Sequence, residues 1–136
     1  MRRALVTMGA AIALTGCGGA DNSSKDVRTT ATTYMRAFAA GDPAKACSLL
    51  TPPARARFVA RVRAVAPAAD CPGAVRQIRR AAGPVTLAAL RATSVSDVRV
   101  NGSRATAKLT SGSGSQIAQL QRTAGDWRIT AAPGTQ

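Results

Sequence analysis

The sequence predicts an α+β fold in which N-terminal helices pack on one face of an antiparallel sheet. Up to about residue 83, apolar residues recur at helical spacing between helix starts that contain proline. From residue 92 onward, apolar and polar residues alternate as they do in strands, with short glycine-containing turns between the runs. A group of helices followed by a strand meander is typical of this fold class.

The first helix is predicted over residues 25–40. Its apolar face consists of residues at helical spacing: Val27, Ala31, Tyr34, Met35 and Phe38. Ser24 can serve as the N-cap, because its hydroxyl can accept a bond from a free backbone N–H of the first turn. Gly41 can end the helix, since glycine readily adopts the left-handed conformation found there.

Three further helices are predicted to open at Asp42-Pro43, Thr51-Pro52 and Cys71-Pro72, because proline suits the first helical position. The third helix should reach about residue 66, and Gly83-Pro84 should stop the fourth. The residues expected to face inward are Ala46, Cys47, Leu49 and Leu50, then Phe58, Val62 and Val65, then Val75, Ile78 and Ala82. Residues 85–91 fit either a helix tail or a strand.

The strands are predicted from alternation and from turn signals. Asn101-Gly102 is a strong hairpin signal, and Gly125-Asp126 indicates a later turn. Residues 116–123 should form a third strand, although their alternation is imperfect. The side chains expected to face the helices are Val98 and Val100, then Ala105, Ala107 and Leu109, then Trp127 and Ile129.

The N-terminal segment resembles a bacterial lipoprotein signal peptide. Arg2 and Arg3 precede a short apolar run, and Leu14-Thr15-Gly16-Cys17 matches the lipobox. The run of about eleven residues is too short to span a bilayer, which needs ~20. The resemblance implies cleavage of residues 1–16, a lipid on Cys17, a tether over residues 17–24 and a position on the extracytoplasmic face of the cell membrane. An uncleaved anchor or a cytosolic helix is the alternative.

The order of motifs after the tether resembles the nuclear-transport-factor-2-like superfamily, above all its small lipoproteins from high-GC Gram-positive bacteria. The motifs are Tyr34-Met35-Arg36-Ala37-Phe38, Gly41-Asp42, Ala46-Cys47-Ser48-Leu49-Leu50, Cys71 and Gly125-Asp126-Trp127-Arg128-Ile129. The resemblance covers residues 25–131 and leaves 132–136 as a tail. It implies a cone-shaped domain with a cavity between a curved sheet and the helices.

An open cone would be lined by apolar side chains from both layers. The expected lining residues are Tyr34, Met35, Phe38, Phe58, Val62, Leu109 and Trp127. Such a lining suits a small apolar ligand. The same side chains would also serve in a filled core, so the sequence leaves both alternatives open.

The three cysteines also point to export. If Cys17 carries lipid, Cys47 and Cys71 remain as a pair. The exported compartment can be oxidising, so the pair is expected to form a disulfide. Two buried free thiols are the alternative.

The chain has a net charge of +13, and most of its 19 basic residues are arginines. Export argues against a nucleic-acid partner, so anionic lipid headgroups or wall polymers are the available acids. Two pairs, Arg57 with Arg61 and Arg76 with Arg80, each form a positive ridge at i, i+4 spacing. The alternative is that the arginines reflect a high-GC genome and form solvated outer faces.

The sequence contains no histidine and no glutamate. It therefore excludes a histidine-based triad, a histidine-ligated metal and a glutamate base, and it predicts no cofactor or metal site. The superfamily includes enzymes such as ketosteroid isomerase and scytalone dehydratase, which use acid–base side chains in the cone. Here the six acids are assigned by pattern to the tether, helix starts, turns and an outer strand face: Asp21, Asp26, Asp42, Asp70, Asp97 and Asp126.

The sequence thus favours a non-catalytic binding or accessory module of the cell envelope that holds an apolar ligand or a protein partner. The alternative is a small cyclase- or isomerase-type enzyme acting on an apolar substrate. The positions of the carboxylates decide between them, because catalysis needs a titratable group inside the cone.

Overall fold

A computed structural model describes the backbone of residues 19–131 and the side chains of residues 22–131. It confirms an α+β architecture, with helices before strands in this part of the chain. The helices are α1 (Gly19–Ala40), α2 (Pro43–Ser48), α3 (Pro52–Arg63), α4 (Cys71–Ala81) and α5 (Pro84–Arg91). The strands are β1 (Ser94–Asn101), β2 (Arg104–Ser111), β3 (Gly114–Thr123) and β4 (Asp126–Ala131). The lipobox with Cys17 and the tail 132–136 lie outside the described residues.

The four strands form an open antiparallel sheet in the order β1-β2-β3-β4. Helix α1 packs against β1, β2 and β4, and α3 packs against β4. The buried side chains of the central and last strands alternate along the chain: Ala105, Ala107 and Leu109, then Ala118 and Leu120, then Trp127 and Ile129. These residues form the inner face of the sheet, which the helices cover.

The predicted starts of the second, third and fourth helices are confirmed, and each carries a side-chain cap. The Asp42 carboxylate accepts a bond from the Lys45 N–H at 3.0 Å, and the Asp70 carboxylate accepts one from the Gly73 N–H at 2.8 Å. The Thr51 hydroxyl caps α3 in the same way. Each cap satisfies an N–H that the helix itself cannot bond.

Two cross-links hold the short helices in place. The predicted disulfide between Cys47 and Cys71 is confirmed, with Cα atoms 6.0 Å apart, and it joins α2 to the start of α4. The link between α2 and α3 pairs with β4, because Thr51 N–H donates to the Ile129 carbonyl at 2.9 Å and Ile129 N–H donates to the Leu49 carbonyl at 2.8 Å. Helices and sheet are thus tied by backbone bonds as well as by apolar packing.

Helix α1 begins at Gly19 and not at Lys25, so the segment expected to be a tether is helical from Gly19 onward and Ser24 is not its N-cap. A contact distant in sequence accounts for this extension. Ser23 is buried, and its hydroxyl accepts a bond from the Arg122 guanidinium at 2.8 Å. Tertiary contact therefore outweighs the weak helix propensity of this polar segment.

The end of α3 also differs from the prediction, and the structure assigns one segment that the sequence left ambiguous. Helix α3 ends at Arg63, and the expected inward position of Val65 is wrong, since its side chain is 87% exposed. The helical phase that would turn Val65 inward is lost once the helix ends. Residues 85–91, which fit two alternatives, belong to helix α5.

Candidate functional site

A cavity of about 370 Å³ lies between the helices and one end of the sheet. We call it the central cavity. Helices α1, α3, α4 and α5 and the turn between β2 and β3 all contribute to it. Its lining residues are Tyr34, Met35, Phe38, Phe58, Arg61, Val62, Val65, Ile78, Leu90, Thr93, Leu109, Ser111, Ser113, Gly114 and Gln116.

The floor of the central cavity is apolar and comes from three elements. The floor residues are Tyr34, Met35 and Phe38 on α1, Phe58 and Val62 on α3, and Leu109 on β2, and all six are buried. Residues four apart on a helix lie on one face, which brings Tyr34 beside Phe38 and Phe58 beside Val62. The rings of Tyr34 and Phe38 have centroids 6.3 Å apart and are tilted by 49°, a favourable aromatic arrangement.

The rim of the central cavity is mostly polar. It consists of Arg61, Thr93, Ser111, Ser113 and Gln116, together with exposed Val65. The four uncharged polar residues were not among the predicted lining residues, and Arg61 was predicted only as part of a surface ridge. Strand alternation could have predicted that two of them face the helices. Ser111 shares a face with Leu109, and Gln116 shares one with Ala118.

Tyr34 is the buried titratable group of the floor, with 4% of its side chain exposed. Burial raises the pKa of Tyr34 well above its ordinary value, because the apolar surroundings disfavour the charged phenolate. The phenol therefore stays protonated at neutral pH. It can donate a hydrogen bond to a guest molecule, but it cannot act as a base there.

Six of the seven side chains expected to line an open cone surround the central cavity, and Trp127 does not. Trp127 is buried at the start of β4, beside a separate cleft that Asp26 and Thr30 of α1 also line. It pairs with Arg122, whose guanidinium lies 4.9 Å from the centre of the indole ring. The alternation that turns Trp127 inward is as expected, but the residue lies at the opposite end of the sheet from the turn that borders the cavity.

The carboxylates whose side chains are described all lie outside the central cavity. Asp26, Asp42, Asp70, Asp97 and Asp126 are exposed, and none of them lines it. Asp42 and Asp70 cap helices. Within the described part of the chain there is also no group of three His, Cys, Asp or Glu residues that could hold a metal ion.

The four arginines of the predicted ridges have different surroundings. Arg57 donates a hydrogen bond to the Thr130 carbonyl of β4, which ties α3 to the sheet edge. Arg61, one turn later, lies at the rim of the central cavity. Arg76 and Arg80 are exposed on α4.

Among the helices of residues 19–131, none is both long and apolar enough to cross a membrane. No family model, curated protein or solved structure matches this chain.

Proposed function

We propose that this protein is an exported lipoprotein, anchored through Cys17 to the extracytoplasmic face of the cell membrane, whose domain binds an apolar ligand without transforming it. We further propose that the domain is of the cone-shaped, nuclear-transport-factor-2-like kind. The lipobox and the order of motifs in the sequence support the anchor and the family. The central cavity supports the binding activity.

The observation that carries the binding proposal is an apolar cavity of ligand size inside a small domain. Its volume of about 370 Å³ falls within the usual range of about 300 to 1,000 Å³ for small-molecule sites. The apolar side chains of the floor lack packing contacts on the side that faces the cavity. A guest with a matching apolar surface restores those contacts, so binding is favourable.

Two features favour binding over the isomerase-type alternative. The five Asp residues with described side chains are exposed and away from the cavity, so none is placed to exchange a proton with a guest. The Tyr34 phenol stays protonated, because its pKa is raised by burial. Acid–base catalysis needs a group whose pKa lies near the working pH, and the described lining offers none.

The binding proposal is tested by plugging the cavity at its rim. Gln116 lies on β3 and faces the cavity, whereas Gln119 lies on the same strand and borders a different cleft. In the full chain carrying Cys17→Ser, we expect the neutral apolar dye phenylnaphthylamine to bind with increased fluorescence and to be displaced by dodecanol. Gln116→Trp should weaken this binding by about tenfold or more, which corresponds to 1.4 kcal/mol.

Gln119→Trp is the matched control, because it places the same indole on the same strand but away from the cavity. It should bind the dye as the parent does. Equal dye binding by the parent and both tryptophan variants, or no binding by the parent, would contradict the proposal.

The anchor is tested separately in cells. Cys17→Ala should abolish incorporation of a labelled fatty acid and should block processing of the leader, since the thiol is the acceptor of the lipid. Cys47→Ala is the matched control and should leave labelling intact. Continued labelling of the Cys17→Ala protein would exclude this site of lipidation.

A further inference from the structure

A second cleft lies on the outer face of the sheet, away from the helices, and we call it the outer cleft. Its polar side chains alternate along the strands with buried residues of the inner face, as Arg104 and Thr106 alternate with Ala105 and Ala107. The cleft has a volume of about 420 Å³. Its lining residues are Arg99, Val100, Asn101, Arg104, Ala105, Thr106, Gln119, Leu120, Gln121 and Thr130.

The sheet register arranges the polar lining residues in two neighbouring rows across β1, β2 and β3. One row is Arg99, Thr106 and Gln119, and the other is Asn101, Arg104 and Gln121. Arg99 and Arg104 are diagonal neighbours in these rows, which places their Cα atoms about 7 to 8 Å apart. Both side chains are exposed. The outer cleft therefore presents two guanidinium groups among neutral hydroxyl and amide groups.

The charge of the outer cleft has one sign. Arg99 and Arg104 are its charged lining residues, and no carboxylate of the described part of the chain lines it. Within residues 22–131 neither guanidinium has a hydrogen bond or an ion pair, whereas Arg57 and Arg79 donate to backbone carbonyls. The planar N–H donors of arginine match phosphate oxygens. A second copy of this chain is a poor occupant, because the same face would bring like charges together.

The outer cleft lies close to the point where the chain leaves the domain toward Cys17. Gln121 lines the cleft, and the next residue, Arg122, donates a hydrogen bond to the Ser23 hydroxyl of α1 at 2.8 Å. Ser23 follows Cys17 by six residues, and six residues of chain span at most about 22 Å. A lipid on Cys17 would therefore hold this end of the sheet near the headgroups of the membrane.

We propose that the outer cleft docks the domain on the membrane by binding the phosphate group of an anionic phospholipid such as phosphatidylglycerol. Arg99 and Arg104 contact the phosphate oxygens, and the amides of Asn101 and Gln121 donate to oxygens of the head. This inference goes beyond the proposed binding of an apolar ligand, and it rests on the proposed anchor for the closeness of the membrane. Docking of this kind fixes the orientation of the anchored domain.

The test measures binding of the full chain carrying Cys17→Ser to sedimented lipid vesicles. Vesicles of phosphatidylcholine alone measure the contribution of the apolar run within residues 1–16. We expect mixed vesicles of phosphatidylcholine and phosphatidylglycerol to bind the chain about tenfold or more tightly at low salt. Added salt should remove most of this difference, because it screens charges at an exposed surface.

Arg99→Gln combined with Arg104→Gln should lower the affinity for the mixed vesicles by about tenfold or more, because each basic residue close to an anionic surface contributes about fivefold. Arg76→Gln combined with Arg80→Gln is the matched control. It removes the same charge from exposed positions on α4 that lie outside the outer cleft, and it should retain the affinity of the parent. Both double variants keep the basic residues of the leader, so the leader contributes equally to each.

Three outcomes would overturn the inference. Equal binding of the parent to both kinds of vesicle would exclude recognition of the anionic head. Equal losses in the two double variants would assign the effect to net charge. Displacement of the parent from the mixed vesicles by glycerol 3-phosphate at an equal phosphate concentration would assign the outer cleft to a soluble phosphate ester. The proposed function is tested separately, by dye binding in the central cavity and by lipid labelling at Cys17.

Discussion

The two ends of the helix–sheet interface are packed differently, although helix α1 contributes to both. The closed end consists of Val27, Leu120, Trp127 and Ile129, each at most 4% exposed, with the Arg122 guanidinium over the indole. The open end consists of the residues of the central cavity around Phe58 and Leu109. The six floor side chains are also buried from solvent, but they border the cavity on one side.

This difference separates stability from function within one small domain. At the closed end Val27 and Ile129 are fully buried and do not line the central cavity, so removal of either side chain loses many contacts. At the open end some contacts are already missing, and a guest can supply them. We therefore expect substitutions at the closed end to act on folding and those at the open end to act on binding.

The largest expected effect comes from Ile129, which is fully buried and whose backbone also bonds to Leu49 and Thr51. Ile129→Ala should lower the free energy of unfolding by about 3 to 5 kcal/mol, whereas Leu109→Ala at the cavity should cost about 2 kcal/mol. Urea unfolding followed by circular dichroism would measure both. Equal losses would show that the two ends are packed alike.

The next largest effect is expected from the disulfide. It joins α2 to α4 and belongs to neither the closed end nor the open end. Replacing Cys47 and Cys71 together by Ala should lower the free energy of unfolding by about 3 kcal/mol, since the bridge closes a loop with a sequence separation of 24. Dye binding in the central cavity should persist at temperatures where the variant is folded. Loss of binding in the folded variant would show that the cross-link shapes the open end.

A smaller effect is expected at Arg122, which bonds to Ser23 and lies over Trp127. Arg122→Ala should destabilise the domain by about 1 kcal/mol and should leave ligand affinity unchanged. Arg99→Ala, at an exposed position on β1, is the matched control and should change neither quantity. A drop in ligand affinity with Arg122→Ala would show that the two ends are coupled.

Local patterns in the sequence predict most of the fold, because its elements have local causes. The caps at Asp42, Thr51 and Asp70 mark helix starts, and alternation identifies the inner strand face. The prediction of an element boundary fails where a contact between residues distant in sequence determines that boundary. The start of α1 depends on a bond between Ser23 and Arg122, which lie at opposite ends of the domain sequence.

Local patterns also predict part of the site, namely which side chains face inward. Helical spacing places Tyr34 beside Phe38 and Phe58 beside Val62, and the structure brings these pairs around one cavity. Spacing alone cannot tell at which end of the sheet an inward residue lies, which is why Trp127 was assigned to the cavity. It also cannot show that Arg61 borders an apolar space, because that depends on where α3 lies relative to the other elements that line the cavity.

The titration of Tyr34, the single tyrosine, probes the solvation of the open end. Its effect at neutral pH is the smallest of those predicted. Burial raises its pKa, so the folded domain should show no phenolate absorbance near pH 10, where the urea-unfolded chain ionises. Because the fold favours the neutral phenol, this contribution to stability is complete below pH ~10 and is lost as the pH rises further. Phenolate formation near pH 10 in the folded domain would show that Tyr34 is solvated.

If the open end, and not the closed end, receives an apolar guest, a guest should perturb only the side chains around the central cavity. Methyl NMR spectra of the full chain carrying Cys17→Ser, recorded during titration with dodecanol, distinguish the two ends. We expect the methyl signals of Met35, Val62 and Leu109 to shift with added ligand, while those of Val27 and Ile129 stay in place. Shifts confined to Val27 and Ile129, or no shifts at either end, would contradict binding at the open end.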